Sequence, residues 1–137
     1  MPLAACSYRI AVVRIDKAIR GRRWRVMMAL WGMLAQFSYT KMVIVVDADI
    51  DARNWDDIAW ALATRMDPAR DVMMLDSTPM DYLDFSSPQR PGGGKIGIDA
   101  TTKIGTETAG LGGMMALNPG DEALAADLLA RHVPGAR

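Results

Sequence analysis

The sequence is short of the residues that build many common active sites: it has one cysteine, one histidine and no surplus of charge, since sixteen Lys and Arg balance sixteen Asp and Glu. A lone Cys6 excludes an internal disulfide and a cysteine-built metal site, and suits a reducing compartment. The single His132 lies near the C-terminus, where solvated residues are the default. A Cys–His nucleophile–base pair would need both ends of the chain to meet. Charge neutrality argues against a dedicated nucleic-acid or membrane-surface binder, which needs an excess of Lys and Arg. No apolar run approaches the roughly 18–20 residues that cross a bilayer, so no integral membrane segment is expected. The first nine residues have neither a basic n-region nor a long enough apolar stretch for a signal peptide. A cytoplasmic location follows as the expectation.

What is present fits an ordinary globular domain. The 137 residues are half apolar and 23% charged, within the usual range, and the length favours a single domain over 1–137. Charge is uneven along the chain. Arg9, Arg14, Lys17, Arg20, Arg22, Arg23 and Arg25 crowd the start, and Asp47, Asp49, Asp51, Asp56 and Asp57 crowd a later stretch. Either these are two solvated faces, or the basic end meets an acidic neighbour or a phosphate.

Tyr8 to Ile15 is short and rich in β-branched residues, which predicts a strand. From Arg22 to Gln36, Trp24, Met27, Met28, Trp31 and Leu34 recur at helical spacing and predict one apolar stripe. Its arginine-rich first turn opposes the helix dipole and calls for an acidic neighbour or solvent. Met42 to Val46 is an unbroken apolar run between charges, the pattern of a strand covered on both faces. Asp47 to Asp51 reads as a loop, and Asn54 as the N-cap of a helix through Trp55, Ile58, Ala59 and Leu62 that ends before Pro68. Asp71 to Asp76 predicts a third strand. From Ser77 to Gly94, prolines and glycines predict a long loop of the kind that is often functional. Lys95 to Asp99 is either a short strand or an extended arm, and Asp121 to His132 a weak final helix. Strands alternating with helices imply an α/β fold, a small mostly parallel sheet with helices on its faces.

Candidate chemistry is sparse. Asp47, Asp49 and Asp51 begin like a calcium loop, but the glycine and glutamate that complete one are missing, and a turn-and-cap cluster is the plainer reading. Gly92, Gly93, Gly94 and Lys95 lack the spacing of a phosphate loop and an obvious following helix. Met27, Met28 and Met33 suit a core better than a cofactor box.

Longer strings are more informative. Thr64-Arg65-Met66-Asp67-Pro68-Ala69-Arg70-Asp71 is followed by Ser77-Thr78-Pro79-Met80-Asp81-Tyr82-Leu83-Asp84-Phe85. Arg25-Val26-Met27-Met28-Ala29-Leu30-Trp31 precedes Phe37 and Tyr39-Thr40-Lys41-Met42-Val43-Ile44-Val45-Val46-Asp47. Gly94-Lys95-Ile96-Gly97-Ile98-Asp99-Ala100-Thr101 continues the order. Together these segments, over about residues 6–108, resemble the C-terminal domain of the UbiD family, decarboxylases of aromatic and α,β-unsaturated acids that use prenylated FMN. The Thr78 to Phe85 run is most similar to polyprenyl-4-hydroxybenzoate decarboxylases of ubiquinone synthesis.

The resemblance carries expectations. In the family a middle domain holds the flavin, a divalent metal, potassium and a catalytic Arg-Glu-Glu set. No corresponding stretch exists here, so no catalytic, cofactor-binding or metal residue is assigned, and a flavin-binding domain or chain is the expected partner. The C-terminal domain contributes closure, part of the pocket wall and subunit contacts, which implies a homo-oligomer and places Met80, Asp81 and Leu83 near a substrate. The alternative for those residues is that Tyr82, Leu83 and Phe85 pack the loop on the sheet. Departures from the family pattern are Ala35, where a basic residue often reaches the flavin phosphate, the Arg20 to Trp24 turn, and the glycine- and alanine-rich tail 109–137. Both ends look cut or substituted relative to the family. A decarboxylase lid that is not catalytic alone is the leading expectation. A self-associating assembly module or a degenerate remnant is the alternative.

Overall fold

The computed structural model describes residues 9–17, 21–33, 37–80, 84, 86, 92–109 and 118–132. They fall into two compact units, Met1–Glu107 and Thr108–Arg137.

The first unit is built on a four-stranded sheet in the order β1-β2-β4-β3. β1 (Ile10–Ile15) leads into α1 (Arg22–Met33), a 3-10 turn at Phe37–Tyr39 and β2 (Met42–Asp47). Next come α2 (Trp55–Arg65), the single turn α3 (Pro68–Asp71), β3 (Val72–Pro79) and β4 (Gly92–Ala100). β1 and β4 flank β2 and run parallel to it, whereas β3 is antiparallel to β4. The expectation of a mostly parallel sheet therefore holds, with one reversed edge strand.

β2 is the inner strand that its apolar run predicted. Alternate side chains point to opposite faces. Val43 and Val45 meet Met27 and Trp31 of α1 on one face, while Ile44 and Val46 meet Ile58 and Ala61 of α2 on the other. The Trp31 indole donates to the Thr40 carbonyl at 3.0 Å, fixing α1 against the entry to β2. The predicted stripes need adjusting at their margins. Met28 is exposed on α1, and Trp55 and Ala59 on α2. The Met33 side chain and Leu34 lie outside the described residues.

Asn54 caps α2 as predicted, its side chain accepting from the Asp56 amide. α3 was not predicted. Asp67 caps it by accepting from the Ala69 amide at 2.8 Å, while the Asp71 carboxylate accepts from the Asp67 amide at 2.9 Å, a reciprocal arrangement that closes one turn. Asp71 thus ends a helix, and the strand begins at Val72.

The largest correction concerns the glycine-rich segment. β3 continues to Pro79 and β4 starts at Gly92, so both ends of the predicted loop are paired strand, with Thr78 opposite Gly93 and Pro79 opposite Gly92. The pairing shifts register between Leu75 and Thr78, where Ser77 takes a positive φ of 54°. An extra residue at a bulge accounts for such a shift. Lys95 to Asp99 is an inner strand.

The second unit contributes α4 (Pro119–His132). Asn118 accepts from the Gly120 and Asp121 amides and caps it. Arg131 pairs with Asp127 one turn earlier. None of the helices, among the described residues, is long and apolar enough to cross a membrane.

Candidate functional site

Because β3 runs against its neighbours, its end meets the beginnings of β2 and β4 at one edge of the sheet. A cleft of about 220 Å³ opens there, lined by Tyr39, Lys41, Met80, Asp84, Ser86 and the Gly93–Lys95 segment. Met80 is 8% exposed and forms an apolar part of this lining. The structure thus places one of the three expected substrate-adjacent residues in a cleft. Asp81 and Leu83 lie outside the described residues, as do Tyr82 and Phe85.

Two lysines organise the cleft in different ways. Lys95 is buried, and its ammonium donates to the carbonyls of Ser38 at 2.5 Å, Thr40 at 3.2 Å and Pro79 at 3.1 Å. Three acceptors for three N–H groups satisfy a buried ammonium, although burial pushes its pKa down. Lys95 therefore ties together the turn before β2 and the end of β3, and it is not a free phosphate ligand. Lys41 is more open, with a side chain 40% exposed. Its ammonium lies 2.6 Å from Asp84 Oδ2 and donates to Ser86 Oγ. Ser86 Oγ donates to Asp84 Oδ1 at 2.5 Å, and the Ser86 amide donates to the same oxygen at 3.1 Å. Hydrogen bonds from Lys41 and Ser86 lower the Asp84 pKa to about 2. Sequence reasoning missed Lys41, Asp84 and Ser86. Their residue types in isolation look like surface, and only the reversal of β3 brings residue 41 beside residues 84 and 86.

At the opposite sheet edge, where the parallel strands end, lies the acidic loop that invited a metal reading. Arg65 answers it. Its guanidinium contacts Asp47 Oδ2 at 2.9 Å and both oxygens of Asp49, at 3.0 and 2.6 Å. The Arg65 hydrogen bond holds the Asp49 pKa below the usual range, outweighing the effect of burial. Asp51 accepts from the Arg53 amide in a local turn. Among the described residues no group of three or more His, Cys, Asp or Glu is arranged to hold a metal ion. A second cleft of about 270 Å³ at this edge is lined by Lys17, Asp47, Asp49 and Thr102, among others. Several of its polar groups engage one another: the Thr102 amide donates to Asp47 at 2.5 Å, and Lys17 donates to the Thr102 carbonyl at 2.9 Å.

The basic N-terminal end meets acidic neighbours within the domain. Lys17 lies 2.8 Å from Glu107 Oε2, Arg23 pairs with the other Glu107 oxygen, and Arg23 Nε is 3.0 Å from Asp99 Oδ2. This offsets the unfavourable first turn of α1. Burial pushes the Glu107 pKa up, but hydrogen bonds from Lys17 and Arg23 outweigh it and bring the value to about 2.

The carboxyls of Asp84 and Glu107, both brought to about 2, predict an acid limb. A carboxyl with a lowered folded pKa contributes stability that is fully present above its unfolded value, near 4, and lost as pH falls toward the folded value. Urea midpoints are expected to be flat above about pH 5 and to drop steadily between about pH 4.5 and pH 2. Asp84→Asn should shrink that drop. Equal pH dependence in the variant and the parent would count against the Lys41–Asp84 pair.

A flavin phosphate needs backbone amides or cations that point at it. Gly92 and Gly93 instead pair with β3, and Lys95 serves carbonyls. This glycine-rich segment offers no cradle for a flavin phosphate.

Comparison with known proteins places this architecture. Residues 1–100 match the family described as the 3-octaprenyl-4-hydroxybenzoate carboxy-lyase C-terminal domain. The vanillic acid decarboxylase of Sedimentibacter hydroxybenzoicus in its closed form is 28% identical with a TM-score of 0.72, over 88% of this chain and 25% of that one. The UbiD-class enzyme HmfF of Pelotomaculum thermopropionicum, solved with FMN, is 30% identical with a TM-score of 0.65, over 87% of this chain and 26% of the other. The 3,4-dihydroxybenzoic acid decarboxylase of Enterobacter cloacae is 25% identical with a TM-score of 0.63, over 86% and 26%. The chain thus spans about a quarter of the length of these enzymes. With a family match over residues 1–100 and the same sheet in these decarboxylases, the chain belongs to the UbiD family, as its C-terminal domain.

Proposed function

We propose that this domain is the closing lid of an aromatic-acid decarboxylase whose flavin is held by another domain or chain. The observation that carries this reading is the cleft at the β2–β4–β3 edge, an open recess with an apolar and a charged part and no cofactor cradle of its own. Such a recess suits one wall of a pocket completed by a partner. The vanillic acid decarboxylase is known in open and closed forms, and HmfF in complex with FMN and, as an evolved dimeric form, with prFMN. Both are consistent with a lid that works beside a bound flavin.

The reaction is non-oxidative loss of CO2, and prenylated FMN, with a divalent metal and potassium on the partner, supplies the electron sink when bound. This chain's own residues orient the ring and exclude water. Met80, with Asp81 and Leu83 beside it in sequence, is the proposed substrate wall. Within the class, the Thr78 to Phe85 run and the description of the matched family favour a polyprenyl-4-hydroxybenzoate of ubiquinone synthesis, acted on in the cytoplasm.

The purified chain is expected to be colourless and to leave 4-hydroxybenzoate derivatives intact. Co-purification from the native cell should bring down a flavin-bearing partner, and the pair should release CO2. Turnover by the isolated chain with added prenylated FMN would overturn the reading. Self-association is the second reading, favoured by the edge position of β1 and β3 and by Met74, 79% exposed on β3. A stable homo-oligomer by sedimentation, with no flavin partner recovered, would select it.

A further inference from the structure

We infer that Lys41, backed by Ser86 and Asp84, recognises the ring hydroxyl of a hydroxylated aromatic acid and not the carboxylate that departs, so that this cleft sets substrate specificity. The inference rests on the aromatic-acid reading above and adds the group that reads the ring substituent.

Hydrogen-bond bookkeeping selects the guest. Ser86 has one hydroxyl proton, and it goes to Asp84. What Ser86 offers the cleft is therefore a lone pair, the other being used by Lys41. Lys41 has three N–H donors, of which two go to Asp84 and Ser86 among the described residues, and its half-open side chain can present the third. One donor beside one acceptor matches a hydroxyl, which both accepts and donates. A carboxylate only accepts, and would set its lone pairs against those of Ser86. Met80 supplies apolar surface in the same cleft for the ring.

The energetics of decarboxylation point the same way. As CO2 forms, negative charge leaves the carboxylate, so a cation paired with that group stabilises the ground state more than the transition state and slows the reaction. A cation hydrogen-bonded to a neutral ring hydroxyl avoids this penalty, because that group does not lose charge as CO2 departs. Asp84, held low by Lys41 and Ser86, remains an anion and stays paired with Lys41 across the mouth of the cleft.

The test uses the full chain with a ¹³C-methyl label on methionine, following the Met80 signal during titration with 4-hydroxybenzoate, benzoate and phenol. The expected result is that 4-hydroxybenzoate and phenol both shift the signal, and that 4-hydroxybenzoate binds about tenfold or more tightly than benzoate. Lys41→Met should bring 4-hydroxybenzoate down to the benzoate level and leave benzoate unchanged. Ser86→Ala, which keeps the Lys41–Asp84 pair, should narrow the preference without abolishing binding. If Lys41→Met weakens benzoate as much as 4-hydroxybenzoate, or if neither variant alters the preference, the inference fails and the aromatic-acid reading stands. If none of the three ligands moves Met80 in the parent chain, the inference fails, and the aromatic-acid reading is decided by recovery of the flavin-bearing partner.

Discussion

Lys103→Met is expected to lower the unfolding free energy by about 3–5 kcal/mol, the usual penalty for leaving a buried charge without its partner. Few domains have more than about 5–15 kcal/mol in hand, so the variant should be largely unfolded in mild urea. The ammonium sits 2.8 Å from Asp99 Oδ2 and 3.1 Å from Asp71 Oδ2, and both carboxylates are fully buried. Each has other support: Asp71 takes hydrogen bonds from Arg70 and the Asp67 amide, and Asp99 takes them from Thr101 and lies 3.0 Å from Arg23 Nε. Lys103 is nonetheless the group between them, and without it two buried anions face one another. Asp71→Asn added to Lys103→Met should recover part of the loss. Arg131→Ala is the contrast, since its pair with Asp127 is exposed on both sides and such pairs contribute at most about 1 kcal/mol. Urea unfolding followed by circular dichroism measures both, and equal costs for the two would refute the central place given to Lys103.

Met27→Ala should cost about 2–5 kcal/mol, because Met27 is fully buried between α1 and the sheet and its removal leaves a cavity. Its sulfur occupies space that only a glycine in β4 leaves open. A Cβ built on Gly97 would lie 2.6 Å from Met27 Sδ and 3.3 Å from Trp31 Cη2. Gly97→Ala alone should therefore overpack the site and cost about 1–3 kcal/mol. Combined with Met27→Ala, the new methyl enters the vacated volume, and the double variant should be more stable than the sum of the two losses predicts. Strict additivity in the cycle would show that the two positions do not share this space.

Much of this architecture is legible in the residues. The Met42–Val46 run can only be a strand covered on both faces, and Asn54 before Asp56 and Asp57 marks the start of α2. The family strings from Arg25 to Thr101 identified the domain outright. What was hidden has a common physical cause. The start of β4 reads as a loop because Gly92, Gly93 and Gly94 carry no side chain, and Lys95 to Asp99, with a glycine and two charges, reads as either a short strand or an extended arm. β4 is an inner strand because Gly97 admits Met27 and Trp31, and because both charges find partners far away in sequence. The same holds for the site. The wealth of arginine in the first helical turn signalled that an acid was needed, but nothing local says that it is Glu107. Met80, singled out through its motif, lines the cleft. Lys41, Asp84 and Ser86 form a unit only after β3 has turned back.

The strand order has a consequence for how the protein is made. The last strand to leave the ribosome, β4, is the one that lies between β2 and β3. Until residue 100 has emerged, β2 presents a bare, strongly apolar edge, and β3 has no sheet to join. The nascent chain must hold these two open flanks apart and unclaimed. The interval in which a chaperone is most useful, or a neighbouring nascent chain most dangerous, therefore falls just before synthesis of the glycine-rich strand is complete.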